Sequence, residues 1–196
     1  MKSLIYDFET LGTNPRESVV VSLAALVFDS DEFHSGGYSY NDLIDNTKLI
    51  KFDVHDQVVT YDRKVDPETV KWWGEQSKEA REQLKPSVND IKLSELYDTL
   101  INIAPPDQIK RVYTRGNTFD PMFMESLLGN IGKQDPYPFW SVRDTRSIIE
   151  GMTLLNESIK NGFIVPGLED AFVAHDAKHD VSMDVMRMQY LIQQVG

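Results

Sequence analysis

The sequence predicts an α/β domain in which a mixed central β-sheet is flanked by α-helices. Apolar, strand-like runs cluster at the N-terminal end. From about residue 66 onward, helical periodicities alternate with short strands, the pattern of helices packed on a sheet. The 196 residues, 41% of them hydrophobic, are enough for one packed core, so residues 1–196 are expected to form a single domain.

Ser3–Phe8 is short and apolar until Asp7, which marks a first buried strand. Ser18–Phe28, rich in valine and leucine, is a second strand. Gly36-Gly37 makes a loop, and Tyr38–Tyr40 and Leu49–Phe52 are expected to be further strand pieces, so the opening resembles a β-meander. Asp66-Pro67-Glu68-Thr69 starts a helix, with Asp66 capping and Pro67 at the first helical position; it runs through Trp72 and Trp73 to about Gly74. Leu93, Leu96, Tyr97, Leu100, Ile101 and Ala104 recur at helical spacing, and Pro105-Pro106 ends that helix. Arg111–Arg115 is a short strand. Pro121–Asn130 is a helix burying Phe123, Met124, Leu127 and Leu128. A brief strand at Trp140–Val142 leads to a helix from about Thr145. The last helix starts near Ala177 and buries Val181, Val185, Met188 and Ile192. No internal repeat or long linker interrupts the chain.

Composition narrows the chemistry. There are no cysteines, which removes thiol nucleophiles, disulfides and thiolate-bound zinc together. Any metal must sit on oxygen or imidazole, a preference that suits magnesium or manganese. The formal net charge of -11 argues against broad coating of nucleic acid, which needs many phosphate contacts. A grip on one chain end is still compatible, because bound cations supply positive charge locally. No window approaches the roughly eighteen uninterrupted apolar residues of a membrane span. The N-terminus meets acids at once, unlike a signal peptide. A cytoplasmic location and no membrane partner are therefore expected.

Three segments carry candidate chemistry. In Asp7-Phe8-Glu9, strand alternation points both carboxylates the same way. The competing explanation is a strand running out into a solvated loop, and for this motif alone it is the better one. Asp120, in Asn117-Thr118-Phe119-Asp120-Pro121, sits at a helix start, where aspartate commonly satisfies free backbone amides. His175 precedes the last helix and Asp180 lies in its first turn, where an acid is also favoured by the helix dipole. Asp176 and His179 fit that ordinary polar helix start.

In combination, acid-x-acid at the end of strand one, Asn-x-Phe-Asp at a mid-chain helix start, and His-x-x-x-x-Asp near the C-terminus resemble the DEDDh exonucleases. This RNase H-like superfamily includes proofreading exonuclease subunits, oligoribonuclease and ribonuclease T. Asp7-Phe8-Glu9-Thr10-Leu11-Gly12, the segment of Trp72-Trp73 with Gln76-Ser77 and Glu79-Ala80-Arg81, Arg143-Asp144, and Phe172-Val173-Ala174-His175-Asp176 look like tailed-phage exonuclease A. A bacterial exoribonuclease-like group shares much of this pattern. One departure is Gly116, where the family often has histidine before the asparagine; no ligand is lost by it.

The resemblance implies hydrolysis of phosphodiester bonds from the 3′ end of single-stranded nucleic acid, DNA in the first instance and RNA as the alternative, releasing nucleoside 5′-monophosphates. It assigns Asp7, Glu9, Asp120 and Asp180 to two Mg²⁺ or Mn²⁺ ions, with Asp7 bridging them. His175 becomes the general base, with an unperturbed pKa near 6.5 that suits neutral pH. Thr10 and Leu11 become candidates for holding the 3′-terminal nucleotide, and Phe119 for stacking on a base, although an aromatic before a helix start is more often core. Of Trp72 and Trp73 at most one is expected to reach substrate, because adjacent helical residues face different ways. Arg143 and Arg146 are candidates for phosphates, and Asp144 for capping the helix after it. The rival classes are a non-catalytic binding or scaffolding protein on the same fold and a different metal-dependent hydrolase such as a nucleotide phosphatase.

Overall fold

The computed structural model describes residues 1–154 and 159–195. Strands β1 (Lys2–Thr10) and β2 (Val20–Asp29) are followed by helices α1 (Glu32–Ser35) and α2 (Tyr40–Asn46), then β3 (Lys48–Lys51). Helices α3 (Val54–Tyr61), α4 (Pro67–Gly74), α5 (Lys78–Glu82) and α6 (Leu96–Ile103) come next. The C-terminal half alternates β4 (Arg111–Thr114), α7 (Asp120–Asn130), β5 (Val142–Asp144), α8 (Thr145–Thr153) and α9 (Ala177–Val195). The sheet order is β3-β2-β1-β4-β5. The β1–β2 and β2–β3 pairs are antiparallel, while β1–β4 and β4–β5 are parallel. This is the mixed sheet with an opening meander that the sequence predicts.

The central strand β1 is apolar on both sides because both faces of the sheet are covered. Leu4, Tyr6 and Phe8 pack with Leu96 and Leu100 of α6 and with Phe123, Leu127 and Leu128 of α7. Ile5 packs instead with Ala24, Leu26, Tyr113, Ile149 of α8, and Val181, Val185 and Met188 of α9. Strand alternation thus divides two cores across one sheet.

Local capping sets most helix starts. Asp66 accepts the backbone N–H of Glu68 at 3.2 Å with Pro67 at the first position, and Asp144 accepts that of Arg146 at 3.0 Å. Two expectations are corrected. Tyr38–Tyr40 is not a strand, because Ser39 caps a helix that begins at Tyr40, accepting the N–H of Asp42. Tyr38 is nevertheless paired: its N–H and C=O both bond the Gln189 side-chain amide, which stands in for a neighbouring strand. The last strand lies at Val142–Asp144 rather than Trp140–Val142, since Phe139–Ser141 form a 3₁₀ turn.

Candidate active site

Because Leu4, Tyr6 and Phe8 enter one core, Asp7 and Glu9 continue the Ile5 side of β1, the side crossed by α9. The first turn of α9 carries Asp180. Asp7, Glu9 and Asp180 each bring a carboxylate oxygen to within 4.8 Å of the others. Burial pushes the pKa of Asp7 well above the usual carboxylate range, and the charges of Asp120, Glu9 and Asp180 push it further. Burial does the same to Glu9, followed by Asp180 and Asp120. Asp180 rises to about 7, through burial and then the nearby Asp184. Such a cluster holds either protons or a cation.

Asp120 does not cap α7; Phe119 occupies the cap position without a side-chain hydrogen bond. The Asp120 carboxylate is 2% exposed and accepts the N–H of Phe8, between Asp7 and Glu9, at 3.1 Å. Burial raises its pKa to about 7 despite that bond. It stands beside the tight triangle rather than in it, but its charge acts on both Asp7 and Glu9.

His175 sits in the turn before α9 with φ 62°, a left-handed backbone uncommon outside glycine. Its N–H donates to Asp180 Oδ2 at 3.0 Å, so the turn is tied to the cluster. Its ring meets Trp72 edge-on, with centroids 4.9 Å apart and planes at 79°. Burial lowers the His175 pKa. Asp176 caps α9 as expected, accepting the N–H groups of Lys178 and His179. His179 does not lie idle on an outer face. Its Nδ1 accepts the N–H of Val173 at 3.3 Å and lies 2.9 Å from the Tyr40 hydroxyl, joining α9 to α2 and to the preceding loop.

A cavity of about 510 Å³ opens beside Glu9, lined among others by Thr10, Thr13, Trp72, Trp73 and Phe119. Trp73 is buried and donates its indole N–H to the Thr10 carbonyl at 2.9 Å, whereas Trp72 is 40% exposed. Only Trp72 of the pair is thus free to meet a ligand broadly, as their adjacency on α4 requires. Phe119 packs on Phe123, ring centroids 4.9 Å apart, and also lines the cavity. Leu11 is half-buried and stands outside the lining. Arg143, on the edge strand β5, and Arg146, in the first turn of α8, are exposed.

Asp184 escapes the sequence reasoning. It is 1% exposed and accepts from Arg115 at 2.7 Å, from Arg187 at 2.6 Å and from the Thr145 hydroxyl. Asp7, Arg115, Asp180 and Asp184 line one small cleft under the carboxylate cluster. The available signal was the four-residue spacing of Asp180 and Asp184, which places both on one helix face.

The fold is that of the RNase H-like exonucleases, with a buried carboxylate cluster beside a cavity of about 510 Å³. The model of the 3′–5′ exoribonuclease Rv2179c-like domain matches residues 2–189. An exodeoxyribonuclease of Enterobacteria phage T4 is 30% identical over 210 residues, covering 98% of this chain and 90% of the relative. The chain belongs to this exonuclease family, and it is a 3′–5′ exonuclease acting on nucleic acid. Among solved structures, the zinc-bound Exonuclease I–single-stranded DNA complex of Escherichia coli aligns with a TM-score of 0.66 at 19% identity, over 98% of this chain and 40% of that one. The metal-free form of that complex aligns with a TM-score of 0.63 at 21% identity, again over 98% and 40%. The chain therefore spans about two-fifths of Exonuclease I. Among the described residues, no helix is long and apolar enough to cross a membrane.

Proposed function

We propose that the protein removes nucleotides from the 3′ end of single-stranded DNA, with Asp7, Glu9, Asp120, Asp180 and His175 as its catalytic groups. The observation carrying this reading is the convergence of Asp7, Glu9 and Asp180 within 4.8 Å, with Glu9 lining a cavity of about 510 Å³, within the size range of small-ligand sites. The donor set is all oxygen, and burial makes its charges costly without a cation, which fits Mg²⁺ or Mn²⁺, two ions in the proposed reading. When bound, these ions activate water and offset charge developing on the phosphate.

The chain's own residues then have distinct tasks. His175 takes the proton from the attacking water. Burial lowers its pKa, which keeps the ring neutral and able to accept. The His175 backbone N–H bond to Asp180 ties its turn to the cluster, and the edge contact with Trp72 holds its ring. Thr10 and Phe119 hold the terminal nucleotide in the cavity, with Trp72 at its rim. Leu11 acts at most from outside that lining, as a wedge against the last base.

DNA is favoured by the 30% identity to a phage exodeoxyribonuclease, which also supports action in the cytoplasm of a bacterial host. The family model's description as exoribonuclease favours RNA as the second reading. End-labelled DNA and RNA oligonucleotides, run in parallel with magnesium and with chelator, test both. Metal-dependent release of nucleoside 5′-monophosphates from the 3′ end of DNA is expected. Cleavage of RNA alone would transfer the assignment to RNA, and cleavage of neither would defeat it.

A further inference from the structure

Phe139 and Trp140 are 84% and 67% exposed, although they lie in a firmly held turn. Tyr137 just before them is buried and donates its hydroxyl to the Ala104 carbonyl at 2.6 Å. Ser141 just after them closes the turn on the Pro138 carbonyl through both its N–H and its hydroxyl. The two rings meet edge to face, centroids 5.1 Å apart. Two large rings held in water mark an interaction surface better than a folding accident.

The flanking charges say what kind of partner it fits. Arg143 donates Nη1 to the carbonyls of Trp140 and Val142 at 2.6 and 2.8 Å, which pins its guanidinium against the turn. Arg146, in the first turn of α8, is exposed. Among the described residues neither forms an ion pair. Asp144, the acid between them, is engaged by the N–H groups of Gly116 and Arg146 and by the Ser147 hydroxyl. In a chain of net charge -11, this edge is locally basic and aromatic. That suits an anionic chain carrying flat bases.

The surface also lies near the candidate active site. Phe139 and Val142 share a groove of about 620 Å³ with Pro121 and Glu125, and Pro121 directly follows Asp120. Arg143 is in register with Tyr113, and Tyr113 with Ile5. Two strand spacings across and two residues along β1 put Arg143 on the order of 12 Å from Asp7.

We propose that Phe139, Trp140, Arg143 and Arg146 form a platform for the substrate's single strand upstream of the 3′ end. Bases lie on the rings and phosphates on the guanidinium groups. The acids of the groove, Glu125 and Asp135, belong to α7 and the turn after it, so the phosphates are assigned to the β5 side. The proposal rests on the exonuclease reading above and deepens it.

The test compares kcat/KM for a dinucleotide with that for a long single-stranded oligonucleotide, in magnesium. In the Phe139→Ser/Trp140→Ser double variant the ratio of long to short should fall on the order of 10-fold or more, the scale of lost base stacking. Arg143→Gln/Arg146→Gln should flatten the salt dependence of KM for the long substrate. Val59→Ser, at an exposed apolar position on α3, should keep the wild-type ratio. A folded aromatic double variant with an unchanged ratio would overturn the platform. So would a shift in sedimentation coefficient with equal losses on both substrates, which would make this face a contact between copies. If the wild type cleaves neither substrate, the exonuclease reading fails. Anisotropy of a fluorescent oligonucleotide in chelator then decides the platform separately: weaker binding by the aromatic double variant supports it, and unchanged binding sinks it.

Discussion

A histidine that accepts a proton from water must be neutral at the working pH, and burial of His175 favours the neutral ring. Activity limited by this group should fall only as pH drops below the ordinary histidine range. His175→Ala should lower kcat by about 10²–10⁴-fold with little change in KM, because the carboxylates and the Thr10–Phe119 cavity are untouched. His179 is the internal comparison. Its Nδ1 accepts the Val173 N–H, so the Tyr40 hydroxyl also acts as a donor to it. His179→Ala leaves these part-buried donors without their acceptor and should destabilise the fold by about 1–3 kcal/mol, seen in thermal melts, with kcat held near wild type. Loss of kcat in His179→Ala with normal turnover in His175→Ala would reverse the two roles. Spacing alone names both histidines; the ring contacts set them apart, His179 bonded to Val173 and Tyr40 and His175 resting edge-on against Trp72.

Elements marked by an apolar run or a clear helical spacing were readable in advance; α3, whose buried residue is polar, was not. β1, α7 and α9 were expected from apolar runs and helical spacing, and they are the elements that carry the candidate site. α3 was not foreseen because its inward residue is Gln57, whose amide bonds both backbone groups of Val20. Val59 on the same helix is 67% exposed, which inverts the usual amphipathic pattern. The Asp184 network is a second case, since an aspartate one turn beyond Asp180 looks like solvated helix surface until Arg115 and Arg187 are seen closing on it. That network predicts a measurable effect at the scale of the α9–β4–α8 junction. Asp184→Asn keeps the shape but leaves the guanidinium groups of Arg187 and Arg115 without their charge partner. A loss of about 3–5 kcal/mol is the scale for breaking a buried pair from one side, read from denaturant unfolding. An unfolding midpoint within error of wild type would show that Asp184 holds nothing together.

Across the whole molecule, β1, α7 and α9 are packed by their apolar faces, and that packing forces four carboxylates toward one end of the central strand. The fold therefore carries an electrostatic load whose sign can be worked out. Asp120 and Asp180 are raised to about 7 in the folded state, and Asp7 and Glu9 are raised as well. An acid with a raised folded pKa stabilises the fold while protonated, fully so below its unfolded value near 4. That stability is lost as pH rises through the folded pKa. The cluster's contribution to metal-free stability should accordingly decline between about pH 4 and 7, and added Mg²⁺ should recover it above pH 7 by binding the ionised form. The exposed acids Asp29, Asp66 and Glu82 have lowered pKa values and contribute in the opposite direction. They remain in any cluster variant, so a difference curve removes them. Asp7→Asn takes one charge from the centre of the cluster. Its metal-free melting temperature should equal or exceed the wild type's near pH 7, the gap should shrink as pH falls, and the gain on adding Mg²⁺ should largely vanish together with activity. A clear loss of metal-free stability in Asp7→Asn would mean that the carboxylate is held by a structural partner, and near-normal turnover in magnesium would remove Asp7 from the catalytic set.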